Sequence, residues 1–106
     1  MLLKYPVVTK NGEYQVKVYE KYIACGATRY EADVQISCKS LFRKFKTVYN
    51  ISLWRNNFEE KYNYNFINFA KDAVLAYEES IKEKLRKEKA LNDNLKAWDK
   101  WDGNCI

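Results

Sequence analysis

Apolar and polar positions alternate near the start of the chain. Residues 4–9 are mostly β-formers, and Pro6 suits an edge strand because it has no amide to donate to a neighbour. Asn11-Gly12 is a favoured pair for a two-residue type I′ turn. Over residues 13–19 the alternation is strict: Tyr14, Val16 and Val18 point one way, and Gln15, Lys17 and Tyr19 the other. Glu20-Lys21 fits a second tight turn, followed by a third short strand over 22–25 that Gly26 ends.

The pattern then changes period. Thr28-Arg29-Tyr30-Glu31 reads as a capping box, with a hydroxyl for the first amides and a carboxylate reaching back. Tyr30, Val34, Cys38, Leu41, Phe42, Phe45, Val48 and Tyr49 fall on one helical arc, with Lys39, Arg43 and Lys46 opposite. A strand over 32–38 competes, because Ala32, Val34, Ile36 and Cys38 alternate. Eight positions obey the helical period against four, which favours helix.

Residues 51–65 read as a polar, aromatic connector with Trp54, Phe58, Tyr62 and Tyr64. A long helix starts near Asn65, with Phe66, Phe69, Ala70, Ala73, Tyr77 and Ile81 as its buried stripe. Residues 82–89 hold one apolar side chain, and Glu78–Lys82 and Glu83–Lys87 are favourable i, i+4 pairs, so a solvated helix is expected there. Leu91, Leu95, Trp98 and Trp101 return at helical spacing, and Asn92-Asp93-Asn94 is a candidate break before a short terminal helix. The expected fold class is α+β: a three-stranded antiparallel sheet packed on a helix (β-β-β-α), then a long helix and a short terminal one. All 106 residues form one domain in this reading. It comprises a β-β-β-α module over 1–50, a connector over 51–65 and a helical half over 66–106.

Charge divides the chain unevenly. Residues 1–50 carry nine basic and four acidic side chains, whereas 51–106 carry ten of each, so the whole net charge of +5 sits in the first half. Such asymmetry suits a polyanion-facing module beside a neutral scaffold. No run of about 20 apolar residues predicts a membrane span, and the first six residues lack the apolar region of a signal peptide. Cys25, Cys38 and Cys105 are widely spaced and odd in number, which suggests reduced thiols, two of them buried, and a cytoplasmic location.

Enzymatic chemistry finds little support. Histidine is absent, and with it the commonest general base and metal ligand. The three glycines are too scattered for a phosphate loop. Cys25 reads as a packed strand residue, and Asp72, Glu78 and Glu79 as solvated charge among basic neighbours. The expectation is no catalytic residue, no metal and no cofactor.

Two binding surfaces remain. The strand face of Gln15, Lys17 and Tyr19, with Lys10 and Lys21 at its ends, lies open if the helix covers Tyr14, Val16 and Val18. Lysine neutralises phosphate, glutamine can read adenine and tyrosine can stack. Arg29 and the Lys39/Arg43/Lys46 stripe suit phosphate contacts made without regard to sequence. Residues 4–46, with Glu-Tyr-Gln-Val-Lys-Val-Tyr on the second strand and Thr-Arg-Tyr-Glu-Ala at the helix start, resemble the arm-binding domains of phage integrases. That resemblance implies a sheet in the DNA major groove, with Lys10, Gln15, Lys17, Tyr19 and Lys21 at the DNA.

The same opening, from Tyr5-Pro6-Val7-Val8 through Tyr14-x-Val16-x-Val18 and Cys25-Gly26 to Thr28-x-x-Glu31-Ala32, is also similar to HicB-type antitoxins. This second likeness implies a protein that blocks another protein. More broadly, the Lys/Asn/Tyr-rich composition resembles orphan phage or prophage proteins, which would act in a bacterial host cytoplasm. Leu91, Leu95, Trp98 and Trp101 would then contact a host or defence protein, since tryptophan is a favoured interface anchor. They could instead fold onto the chain's own core, or meet a second copy to make a homodimer. Charge asymmetry ranks nucleic acid slightly ahead of protein as the partner.

Overall fold

The structure is a computed structural model and describes residues 1–38 and 44–104. Among these residues the chain runs through strands β1 (Leu2–Thr9), β2 (Gly12–Ile23), β3 (Ala27–Ser37) and β4 (Phe45–Trp54), then helices α1 (Arg55–Tyr62) and α2 (Phe66–Lys100). The strands form one antiparallel sheet in sequence order. The α+β class stands, but the sheet has four strands where three were expected.

The fourth strand comes from the segment expected to be helical. Tyr30 and Val34 lie four apart, a spacing that satisfies both a helix face and alternate strand positions. The positions between them decide the matter. Thr28, Tyr30, Ala32 and Val34 are all buried, and Arg29, Asp33 and Gln35 are less so. Of the remaining members of the apparent helical arc, Cys38 follows the end of β3, Phe45, Val48 and Tyr49 fall in β4, and Leu41 and Phe42 lie outside the described residues. Thr28 and Glu31 therefore form no capping box; they stand on opposite faces of β3.

Other turns differ as well. Glu20-Lys21 lies inside β2, which runs 12 residues without a break. The chain reverses instead at Ala24–Gly26, where Cys25 and Gly26 take left-handed φ values of 72° and 76°. Cys25 is thus an exposed turn residue and Cys38 is half-buried; Cys105 lies outside the described residues. The first hairpin is present, with Thr9 paired to Gly12. Its turn residues are Lys10 and Asn11, and none of Lys10, Asn11 and Gly12 has a positive φ, so the turn is not type I′. The Thr9 hydroxyl oxygen accepts the Asn11 amide at 3.1 Å and holds the turn.

The expected connector holds the end of β4 and the whole of α1. Asn63 and Tyr64, both with left-handed φ (48° and 62°), turn the chain from α1 into α2. Asn65 caps α2 by accepting the Asn68 amide at 3.0 Å, close to the expected start. Asn92-Asp93-Asn94 does not break α2, which continues for 35 residues, so no separate terminal helix forms among the described residues.

Both helices pack on one side of the sheet. Val16, Val18, Tyr30, Ala32 and Val34 meet Phe58 of α1 and Phe69, Ala70, Ala73 and Val74 of α2. Phe58 sits at the centre, its ring 4.5 Å from Tyr30, 5.0 Å from Phe69 and 5.3 Å from Phe66. Burying each large apolar side chain contributes about 1.5–3 kcal/mol. The core ends near Glu78, and α2 continues past it as an arm. The radius of gyration is 19.6 Å, against about 13 Å for a compact chain of this length.

Candidate functional site

The face of the sheet away from the helices is open, and the strand register sets its contents. Lys4 stands opposite Lys17, which stands opposite Asp33, which stands opposite Asn50. The next row is Leu2, Tyr19, Glu31 and Ser52, and beyond it Lys21 faces Arg29, which faces Trp54. Gln15, Gln35 and Thr47 form a row on the other side, with Phe45 paired to Ser37 at the far end. Strict alternation in β2 makes this arrangement: once Val16 and Val18 are buried, Gln15, Lys17, Tyr19 and Lys21 must share the other face.

Five expected residues, Gln15, Lys17, Tyr19, Lys21 and Arg29, therefore lie together. Lys10 sits in the β1–β2 turn, beyond the end of this face. Lys46 pairs with Ile36 past an irregularity at Val34/Gln35 and falls on the other side. Lys39 and Arg43 lie outside the described residues. The expected stripe of Lys39, Arg43 and Lys46 required a helix, and Lys46 is in β4. Lys4, Phe45 and Trp54 join the face unforeseen. Lys4 was legible from its alternation with Leu3 and Tyr5; Phe45 and Trp54 were hidden by the helical and connector readings.

The face is not purely basic. Glu13, Glu31 and Asp33 interleave with Lys4, Lys17, Lys21 and Arg29. Asp33 accepts from Asn50 Nδ2 at 2.6 Å and from the Tyr19 hydroxyl at 3.4 Å. Burial pushes the Tyr19 phenol up to about 12, and the charges of Asp33 and Glu31 push the same way. Arg29 lies 3.8 Å from Glu31 and stacks its guanidinium 5.6 Å from the Trp54 ring centre. Lys17 Nζ lies 5.7 Å from the centre of the Tyr19 ring. Glu31 is only 6% exposed, and neither its Oε2 nor Arg29 Nε has a hydrogen-bond partner.

The second expected surface is the arm. Leu91, Leu95, Trp98 and Trp101 do not fold back on the core; they are exposed by 59%, 52%, 66% and 50%. Leu85 is equally bare, and the two tryptophan rings contact each other at 5.2 Å. Glu78, expected to be solvated, is turned into the sheet and is 9% exposed. Its Oε2 accepts from the Thr9 hydroxyl at 2.7 Å and the Tyr14 hydroxyl at 3.1 Å. These bonds anchor the root of the arm to the first hairpin.

Among the described residues, no three His, Cys, Asp or Glu side chains are grouped to hold a metal, and no helix is long and apolar enough to cross a membrane. No family model matches the chain, and no solved structure matches it significantly. One curated protein does match: the SPbeta prophage-derived uncharacterized protein YoqB of Bacillus subtilis (strain 168). It is 34% identical over 104 residues, spanning 92% of this chain and 91% of the relative. The chain therefore belongs to the same family as this prophage-derived protein.

Proposed function

We propose that the chain is a non-enzymatic, phage-type binding protein whose open sheet face takes a single-stranded nucleic acid. The observation that carries this reading is the pairing of like charges on that face. Lys4 stands directly opposite Lys17, and Lys21 opposite Arg29. Like charges in directly opposed positions destabilise a sheet, and a polyanion laid across them relieves the repulsion. Tyr19, Phe45 and Trp54 lie among these cations and supply ring faces for stacking.

The fourth strand favours a single strand over a duplex. Four strands about 4.8 Å apart make a backbone about 14 Å across, wider than a major groove of about 12 Å. A three-stranded sheet would have fitted that groove. A broad sheet carrying aromatic and basic side chains suits splayed bases better. The test is fluorescence anisotropy of labelled single-stranded and duplex oligonucleotides at low salt. Single strands should bind the more tightly, and Lys17→Glu/Lys21→Glu should abolish binding while the protein stays folded. If the wild type binds no single strand at low salt, this reading is wrong.

The exposed stripe of Leu91, Leu95 and Trp98 favours a second reading, in which the arm docks a protein. An apolar stripe of this kind stands bare only at a cost unless a partner covers it. Trp98→Ala/Trp101→Ala should then lose the proteins that the wild type captures and leave oligonucleotide binding unchanged. Identical captures by the two forms would exclude it.

A further inference from the structure

Building on the protein-docking reading of the arm, we infer that its occupant is the arm of a second copy of this chain, packed antiparallel, with position 84 of one copy beside position 95 of the other.

The spacing suits a two-helix seam. Ile81, Lys84, Glu88, Leu91, Leu95 and Trp98 recur at alternating intervals of three and four, the pattern that keeps one helix face against another helix. This face continues the one that Ala70, Val74 and Tyr77 turn to the sheet, so the seam begins where the sheet stops.

The two charged seam positions fix the direction. In a parallel pair, Lys84 would meet its own copy and Glu88 its own copy, two like-charge contacts within the seam. In the antiparallel register Lys84 faces Leu95, Glu88 faces Leu91 and Ile81 faces Trp98. The Lys84 and Glu88 stems can then lie along leucine while their charged ends reach water. Charge along the arm agrees. Residues 82–89 hold five basic and two acidic side chains, whereas 90–97, which face them in this register, hold one of each. An antiparallel pair lays each basic root on a neutral stretch of the other copy, and a parallel pair sets root on root.

The arm's size sets the strength. Residues 82–100 give about 28 Å of helix about 10 Å across, so one side offers on the order of 400 Å². A standard stable interface uses about 800 Å² from each partner. The pair is therefore a weak, reversible dimer that depends on protein concentration.

Light scattering on the full chain over a range of concentrations tests this. The mass should rise from 12.7 kDa towards twice that value as concentration increases. Leu91→Lys/Leu95→Lys should stay at the single-chain mass, with thermal unfolding of the body retained because these residues lie outside the core. Orientation is read by disulfide trapping in a Cys25→Ser/Cys38→Ser/Cys105→Ser background. Mixed Lys84→Cys and Leu95→Cys chains should cross-link to each other, and efficient cross-linking of Lys84→Cys to itself would overturn the antiparallel register. A wild type that stays monomeric throughout overturns self-docking. In that event, captures lost in Trp98→Ala/Trp101→Ala show that the arm docks a different protein. The absence of any such capture removes the docking reading too.

Discussion

The Thr9 hydroxyl donates to Glu78 Oε2 at 2.7 Å across 69 positions of sequence, tying the first strand to the middle of the last helix. That bond holds the Glu78 carboxyl below its ordinary value of 4.5. Tyr14, Asn11 and Lys82 act in the same direction, and burial opposes them. A carboxyl lowered in the folded state contributes stability that is complete above its unfolded value and is lost as pH falls through its folded value. Resistance to thermal unfolding should therefore fall as pH drops below about 4.5. Glu78→Gln should melt lower than the wild type at neutral pH and lose less on acidification. An unchanged acid response in that variant would rule out the bond as its source.

At the alkaline end the sign reverses. Tyr19 and Tyr62 are both pushed up to about 12, by burial first and then by Asp33 and Asp72 respectively. Phenols raised in the folded state contribute stability that is complete below their unfolded value of about 10 and is lost as pH rises through the folded value. Absorbance titration should show the last tyrosines ionising well above pH 10, with unfolding. Tyr19→Phe/Tyr62→Phe should flatten the loss of stability over that range.

Phe58 is wholly buried and touches rings from β3, α1 and α2. Phe58→Ala should cost about 3–5 kcal/mol in urea unfolding. A loss below about 1 kcal/mol would mean that Tyr30, Phe66 and Phe69 close over the gap.

For nucleic acid, the open face offers four cations among the described residues: Lys4, Lys17, Lys21 and Arg29. Single-strand affinity should fall with salt at a log–log slope no steeper than about −3, from about 0.7 per neutralised phosphate. Trp54→Ala should weaken binding by about 1–3 kcal/mol if a base stacks there. It also frees Arg29, so Arg29→Lys is the control: it keeps the charge but loses the flat stacking partner. A much steeper slope would place the contact on the basic arm root instead.

The sequence was most legible where one period ran undisturbed. In β2, Val16 and Val18 against Gln15, Lys17 and Tyr19 gave both the buried and the open face. In α2, Asn65 and the stripe from Phe66 to Ala73 gave the start and the packed side. Legibility failed at residues 28–37 and 45–49, because Tyr30 and Val34 satisfy two periods at once and Thr28–Glu31 resembles a cap. Only Ala32 and Ile36 spoke for a strand, and pairing with β2 and β4 outweighed local pattern there. Glu78 was unreadable for a different reason: its partners, Thr9 and Tyr14, are remote in sequence. The face lost Trp54 and Phe45 to the same misreading that removed β4.

Because α2 passes through Asn92-Asp93-Asn94 without a break, the bearing of Trp98 is set at Glu78, well back along the helix. One residue inserted in between would swing the tryptophan about 100° around the axis while moving it only about 1.5 Å along it. Seven inserted residues would return it to within about 20° of its original heading. The arm can therefore tolerate change in length by whole heptads far better than change by single residues, which makes direction, rather than reach, the property that this helix preserves.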